Sequence, residues 1–355
     1  MKIRSRSRGD AGDVVTDGGR PDTPTRSRGR RAAVAIATMS LVVAGCGSSG
    51  SRAASSSSTS TTGAATRPGA VTDLTLDPTR DHGNKYANGI LPVGDDQFVT
   101  DGATKGSVYL CRAPGNETGG AESRGPWFST DGTHYDITKK TAVQGAVKWG
   151  STFSMTRSSG QRVIATNDLP RDHTTGAFPV ESSDPAYQYD RNPNHIAAQS
   201  LTYTLAASPT ITTSTNCVGG EVGVMLTGVA LFDAFDAGGR DAGAWEVQDG
   251  CGGHPQITSE YHYHTLSSCI QDTSVSTVIG FALDGFPITG PKVGTDNILT
   301  TSDLDECHGI TSTITLDGEQ VATYHYVMTQ DFPYSAGCFR GTATVPPGRP
   351  GADAP

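Results

Sequence analysis

Tyr261-His262-Tyr263-His264 is the segment of this chain best suited to chemistry. On an extended strand successive side chains point to opposite faces, so His262 and His264 share one face and Tyr261 and Tyr263 the other. Two imidazoles two residues apart, with Cα atoms roughly 7 Å apart, can converge on one ion. His254 lies just upstream in Asp249-Gly250-Cys251-Gly252-Gly253-His254. A bend at Gly252, Gly253 and Pro255 would let it approach. Tyr324-His325-Tyr326 repeats the pattern in shortened form, which suggests a second strand beside the first and makes His325 the fourth candidate ligand. Seven of the nine histidines fall between His173 and His325, with His195 and His308 among them. Imidazole-rich sites suit zinc or copper better than calcium or magnesium. The competing account is a buried hydrogen-bond network without metal, because alternating aromatics also pack well on a strand.

Asp284, Asp305, Tyr261 and Tyr263 are the residues that could orient these ligands from behind. Each has a plainer role open to it. Asp284, in Leu283-Asp284-Gly285-Phe286-Pro287, can cap its own turn. Asp305 and Glu306 form an acid pair of the kind that helix starts also attract. Other catalytic signatures are missing from the sequence: no phosphate-binding GxxxxGK[ST] loop, no GxSxG elbow and no HExxH helix.

These residues need a scaffold. Glycine contributes 44 residues and proline 20, about 18% together against a background near 12%, which disfavours helical bundles. Short Val-, Ile-, Thr- and Tyr-rich runs recur between turn signals at 107–110, 142–149, 161–166, 200–205, 223–231, 275–283 and 321–328. The expected fold is mainly β: an antiparallel sandwich or distorted barrel with long loops, stabilised by disulfides. A short helical turn is expected within 302–307, and 71–100 reads as a loosely packed lead-in.

The chain ends carry different information. A basic flank with Arg30 and Arg31 precedes an apolar run, Ala32–Ala44, that stops at Val43-Ala44-Gly45-Cys46. That arrangement is an export signal, and the cysteine after two small residues looks like a bacterial lipobox. The expected organisation is a lipoprotein signal peptide at 1–45, lipidated Cys46 with a disordered Ser/Thr-rich tether to 70, one β-rich domain at 71–345 and a disordered tail at 346–355. Nine of the 27 basic and four of the 36 acidic residues precede Cys46, leaving 18 against 32, a net charge of −14. Such a surface has no basic patch for nucleic acid. The expected membrane partner is reached through the acyl chain alone, and the expected location is extracytoplasmic, on the cell membrane.

Six cysteines remain: Cys111, Cys217, Cys251, Cys269, Cys307 and Cys338. An even number in an exported chain argues for three disulfides. The adopted pairing, one of many the sequence allows, is Cys251–Cys269, Cys307–Cys338 and Cys111–Cys217.

The sequence resembles the YHYH-domain proteins. The resemblance rests on Asn192-Pro193-Asn194-His195 with Gln199, Gly228 to Asp233, Asp249-Gly250-Cys251 with Gly253-His254, the motif itself and Cys269. It continues through Ile279 to Ile288 with Gly290-Pro291, Leu304 to Gly309, Tyr324 to Tyr326, Phe332-Pro333-Tyr334 and Gly337-Cys338-Phe339. It spans about 140–340. Thr289 stands where the family often has Tyr, and His308 where Asn is usual. The resemblance implies an exported β-rich domain with a histidine-centred site, and it supplies no reaction. Three functions stay open: a metal-binding lipoprotein holding copper or zinc, a metal-dependent hydrolase or oxidase, and a surface or ligand-binding module without metal.

Cys46→Ala is expected to release the protein into the medium or to block its processing. Membrane fractionation with immunoblotting checks this, and a processed variant that stays on the membrane would refute the anchor.

Overall fold

A computed structural model describes residues 71–115 and 120–344. Cys46, the export segment, the tether and the 346–355 tail lie outside the described residues. The first strands are short: β1 (Ile90–Pro92), β2 (Phe98–Val99), β3 (Val108–Tyr109) and β4 (His134–Asp136). β5 (Phe153–Ser158), β6 (Gln161–Thr166) and β7 (Leu201–Ala206) follow, then β8 (Glu221–Met225) and β9 (Ala230–Phe232). A four-residue helix α1 (Ala242–Trp245) precedes β10 (Gly253–Pro255) and β11 (Tyr261–Tyr263). The last strands are β12 (Val278–Ala282), β13 (Pro287–Thr289), β14 (Gly309–Leu316) and β15 (Glu319–Val327).

The largest sheet runs β10-β11-β9-β8-β12-β13-β15-β14. It is mixed rather than antiparallel, because β11 pairs with β9 and β13 with β15 in parallel. It is also open, not a barrel. A second sheet, β5-β6-β7, is antiparallel and contributes Ile164, Tyr203 and Leu205 to the core that Val222, Val224, Phe281 and Tyr326 fill from the large sheet. Two-residue turns close the hairpins β5–β6 and β14–β15. In the second, Asp317 and Gly318 both take positive φ, 53° and 86°, as the twist of a tight hairpin requires. The Asp317 carboxylate then accepts from Arg162 at 2.8 Å, and the Arg162 guanidinium lies 4.1 Å from the centre of the Phe281 ring. One hairpin tip is thereby tied to the neighbouring sheet.

Most sequence-based strands appear where expected, including Gln161–Thr166 and Tyr261–Tyr263. Two do not. The 223–231 run is a hairpin of β8 and β9, because Gly228 at φ +93° turns the chain. The 142–149 run is extended but makes only isolated bridges, Val143 to Asp249 and Val147 to Thr175. The expected helical turn is a 3-10 turn at Thr301–Asp303. The lead-in is better packed than expected: Tyr86 and Leu91 are buried with Trp127, Tyr135 and Val247 in a second core cluster. Cys111–Cys217, Cys251–Cys269 and Cys307–Cys338 form the three disulfides. Among the described residues no helix is long and apolar enough to cross a membrane.

His325 is fully buried on β15. Its Nδ1 lies 2.9 Å from Thr289 Oγ1 and its Nε2 lies 2.8 Å from Ser312 Oγ. Burial drives its pKa from 6.5 down to about 4, so the unfolded chain takes up the proton first. The stabilisation from the neutral ring is complete above pH 6.5 and is lost as pH falls towards 4. At about 1.4 kcal/mol per tenfold change in proton affinity, the loss is roughly 3 kcal/mol. Urea melts of wild type and His325→Gln between pH 7 and 4 should show a stability difference that shrinks on acidification. A pH-independent difference would refute it.

Candidate metal centre

The register of two short strands assembles the site. In the antiparallel pair β10–β11, His254 stands directly opposite His262, so both rings project from the same face. Alternation brings His264 to that face as well. The ring centres lie 4.5 Å apart for His254–His262, 4.8 Å for His262–His264 and 5.4 Å for His254–His264. All three residues are buried, and one nitrogen from each lies within 4.8 Å of the others. Tyr261 and Tyr263 face the opposite way into the core. Gly253 is needed here because the Tyr261 ring lies across it, and a Cβ at that position would sit 2.3 Å from the ring.

Asp249 fixes the entry to β10. Its Oδ1 accepts from the backbone N–H groups of Cys251 and Gly253, and its Oδ2 accepts from Tyr261 Oη at 2.8 Å and Gly176 N at 2.9 Å. The turn before His254 and the tyrosine behind His262 therefore share one carboxylate.

Glu246 completes the centre, and sequence reasoning missed it. It ends helix α1, where its N–H donates to Ala242 O. Asp241 caps the other end, with Ala244 N at 3.2 Å from its carboxylate. Glu246 Oε2 lies 3.1 Å from His254 Nε2 and 3.4 Å from His264 Nε2. Asp190 holds both neighbours in place, accepting from Val247 N and from Asn192 N at 3.0 Å each. Asn192 in turn donates to Pro255 O at 2.9 Å, at the end of β10.

The protons can be placed. His264 Nδ1 lies 2.5 Å from the Asp233 carbonyl. A carbonyl only accepts, so Nδ1 carries the hydrogen and the neutral ring turns the Nε2 lone pair inward. Burial drives the pKa of His264 down to about 4 against the pull of Glu246, which keeps the ring neutral. Burial opposes charge on Glu246 too, yet His254 and His264 hold its carboxyl well below the usual range. The same carboxylate raises the pKa of His254 in spite of burial. The His264 lone pair thus faces a carboxylate oxygen at 3.4 Å and the Nε2 of His262 at 3.1 Å. Glu246 Oε2 and His254 Nε2 are at ion-pair distance.

This face forms the floor of a cleft of about 1000 Å³ whose walls carry Glu122, Asp190, Asp233, Asp236 and one arginine, Arg112. Phe232 lies over His262, with ring centres 4.3 Å apart.

The other sequence candidates lie elsewhere. His325 is not part of the centre: four strands separate β15 from β11 in the sheet, about 24 Å at normal strand spacing. Asp284 does cap its turn through Phe286 N, and it also accepts from Tyr326 Oη and Gly341 N. Asp305 meets Arg340 and Tyr324, and Glu306 accepts from Thr72. None of these acids orients a histidine of the centre. Tyr261 and Tyr263 brace β11 from behind through Asp249 and His173. His195 is exposed, and His308 is buried against Thr329.

Fold and site together define a disulfide-bonded, mainly β protein with a buried histidine centre below an acidic cleft. Residues 202–298 match the family model described as YHYH protein, so the chain carries a YHYH domain. The match covers the centre and stops short of Leu304–Gly309 and Tyr324–Tyr326. No curated protein and no solved structure matches the chain.

Asp249→Ala should destabilise the domain by at least about 3 kcal/mol, since it strands buried donors on three segments. Asp249→Asn, which keeps one acceptor oxygen, should recover part of this. Chemical denaturation of both variants checks the ranking, and equal loss would refute the role given to the carboxylate.

Proposed function

We propose that this protein is an extracytoplasmic, lipid-anchored metal-binding protein that holds zinc or copper through His254, His262 and His264, with Glu246 beside them. The observation that carries this reading is the buried His264 Nε2 lone pair facing a Glu246 carboxylate oxygen at 3.4 Å, two acceptors with the rings of His254 and His262 beside them. Acceptors aimed at one another in a low-dielectric pocket cost free energy unless a cation lies between them. The spacings suit one. Tetrahedral bonds of 2.0–2.1 Å place neighbouring ligand atoms about 3.3–3.4 Å apart, and the contacts here are 3.1, 3.1 and 3.4 Å. Imidazole and carboxylate donors fit zinc and copper. The acidic cleft draws cations towards the floor. Placement outside the membrane rests on the lipobox at Cys46, and three disulfides suit an oxidising compartment.

The test is elemental analysis and calorimetric titration of the mature protein with Zn²⁺ and Cu²⁺. Wild type should bind one equivalent that His262→Ala/His264→Ala loses, while Glu246→Gln weakens it roughly 10–100-fold. Wild type that takes up neither metal, or a double variant that keeps the equivalent, would overturn the proposal.

A further inference from the structure

The disulfide Cys251–Cys269 closes the loop that carries all three histidines of the centre. A fourth histidine stands beside it: one ring nitrogen of His173 and the two sulfurs all lie within 4.8 Å of one another. His173 belongs to a separate segment, and its ring packs against Tyr261 and Tyr263 with centres 6.4 and 6.1 Å away. It is therefore on the face of β11 opposite His262 and His264. Its Nδ1 donates to Thr174 O at 3.0 Å, which fixes the ring and leaves the lone pair on Nε2, 2.6 Å from Tyr263 Oη, as the one a metal would take in place of that hydroxyl. Cys251 is buried, while Cys269 and His173 are partly exposed. Cys111 of the Cys111–Cys217 bridge is exposed as well, whereas Cys307 and Cys338 are fully buried.

We propose that reduction of Cys251–Cys269 creates a second metal site, two thiolates and the His173 imidazole, with a preference for Cu(I). In the oxidised protein neither sulfur is a thiolate, and the site does not exist. A dithiol reductant opens it. One reductant thiolate attacks Cys269 Sγ at the exposed side, the S–S bond breaks and Cys251 leaves as thiolate. The second reductant thiol then displaces Cys269 and closes the reductant's own disulfide. Two electrons pass to the protein, and the two thiols lose their protons on binding the metal. Paired thiolates are soft ligands that select Cu(I), whereas the imidazole and carboxylate set on the other face suits divalent ions. The two sites share no ligand, so the inference does not require a metal at the histidine centre.

The experiment is Cu(I) titration of the mature protein against a chromophoric Cu(I) chelator, oxidised and after phosphine reduction and desalting, with near-UV circular dichroism to follow the fold. Reduced wild type should take up one Cu(I) equivalent more than oxidised protein. Cys251→Ser/Cys269→Ser should lose it, His173→Ala should weaken it at least tenfold, and His262→Ala/His264→Ala should keep it. The proposal fails if reduction adds no equivalent, if the cysteine pair variant retains the gain, or if His173→Ala binds as tightly as wild type. It also fails if the reduced protein loses its near-UV spectrum, since the site would then not be preformed. Failure of the histidine centre alone would remove only the divalent binding.

Discussion

His254 and His262 face each other across the β10–β11 pair, and this single register decides which groups meet. A slip of one residue would turn His254 to the far side of the sheet and leave His262 opposite a glycine or a proline. Strands of three residues have too few ladder hydrogen bonds to hold register unaided. Three constraints supply what is missing. Asp249 ties the turn before β10 to Tyr261 on β11. The Tyr261 ring lies across Gly253, where no other side chain fits. The Cys251–Cys269 bridge closes the segment around both strands.

Charge explains why the opposite faces of β11 differ. The tyrosine face is sealed in the main core, with its hydroxyls bonded to Asp249, His173 and Thr227. On the histidine face the neighbouring acids are mostly occupied by backbone donors. Asp233 accepts from Gly220 and Phe235, and Asp190 from Asn192 and Val247. Burial raises the pKa of both, that of Asp233 to about 6. Glu246 is different: its Oε2 lies against the imidazoles of His254 and His264. The electrostatic need of the pocket is thereby concentrated at one oxygen, at the point where three rings converge.

What the sequence shows of this arrangement follows from locality. Alternation in Tyr261 to His264 is a property of four consecutive residues, so the division of faces was legible, as was the approach of His254 through a glycine-rich bend. The disulfide set matched as well, and two of its bridges close short loops of 18 and 31 residues. Tyr324-His325-Tyr326 shows the limit. Its pattern establishes alternation on β15, but it contains nothing about strand order, and the parallel pairing of β13 with β15 carries His325 away from β11. Glu246 left no periodic signal, because its position depends on a helix of four residues whose ends are fixed by Asp241 and, through Val247, by Asp190.

The place of the centre in the sheet follows from the same topology. Among the described residues β10 is an edge strand of the sheet, paired with β11. Edges are hazardous because unpaired backbone groups invite other strands. Here the edge is three residues long, ends in Pro255 and is closed by a disulfide, which limits pairing with another chain. Interior strands such as β12 and β8 are buried along most of their length, as the core between two sheets demands. Next to this edge, β11 keeps one face in the core and turns the other towards the cleft. The tyrosines hold β11 to the core, and the histidines occupy the side that the fold leaves accessible.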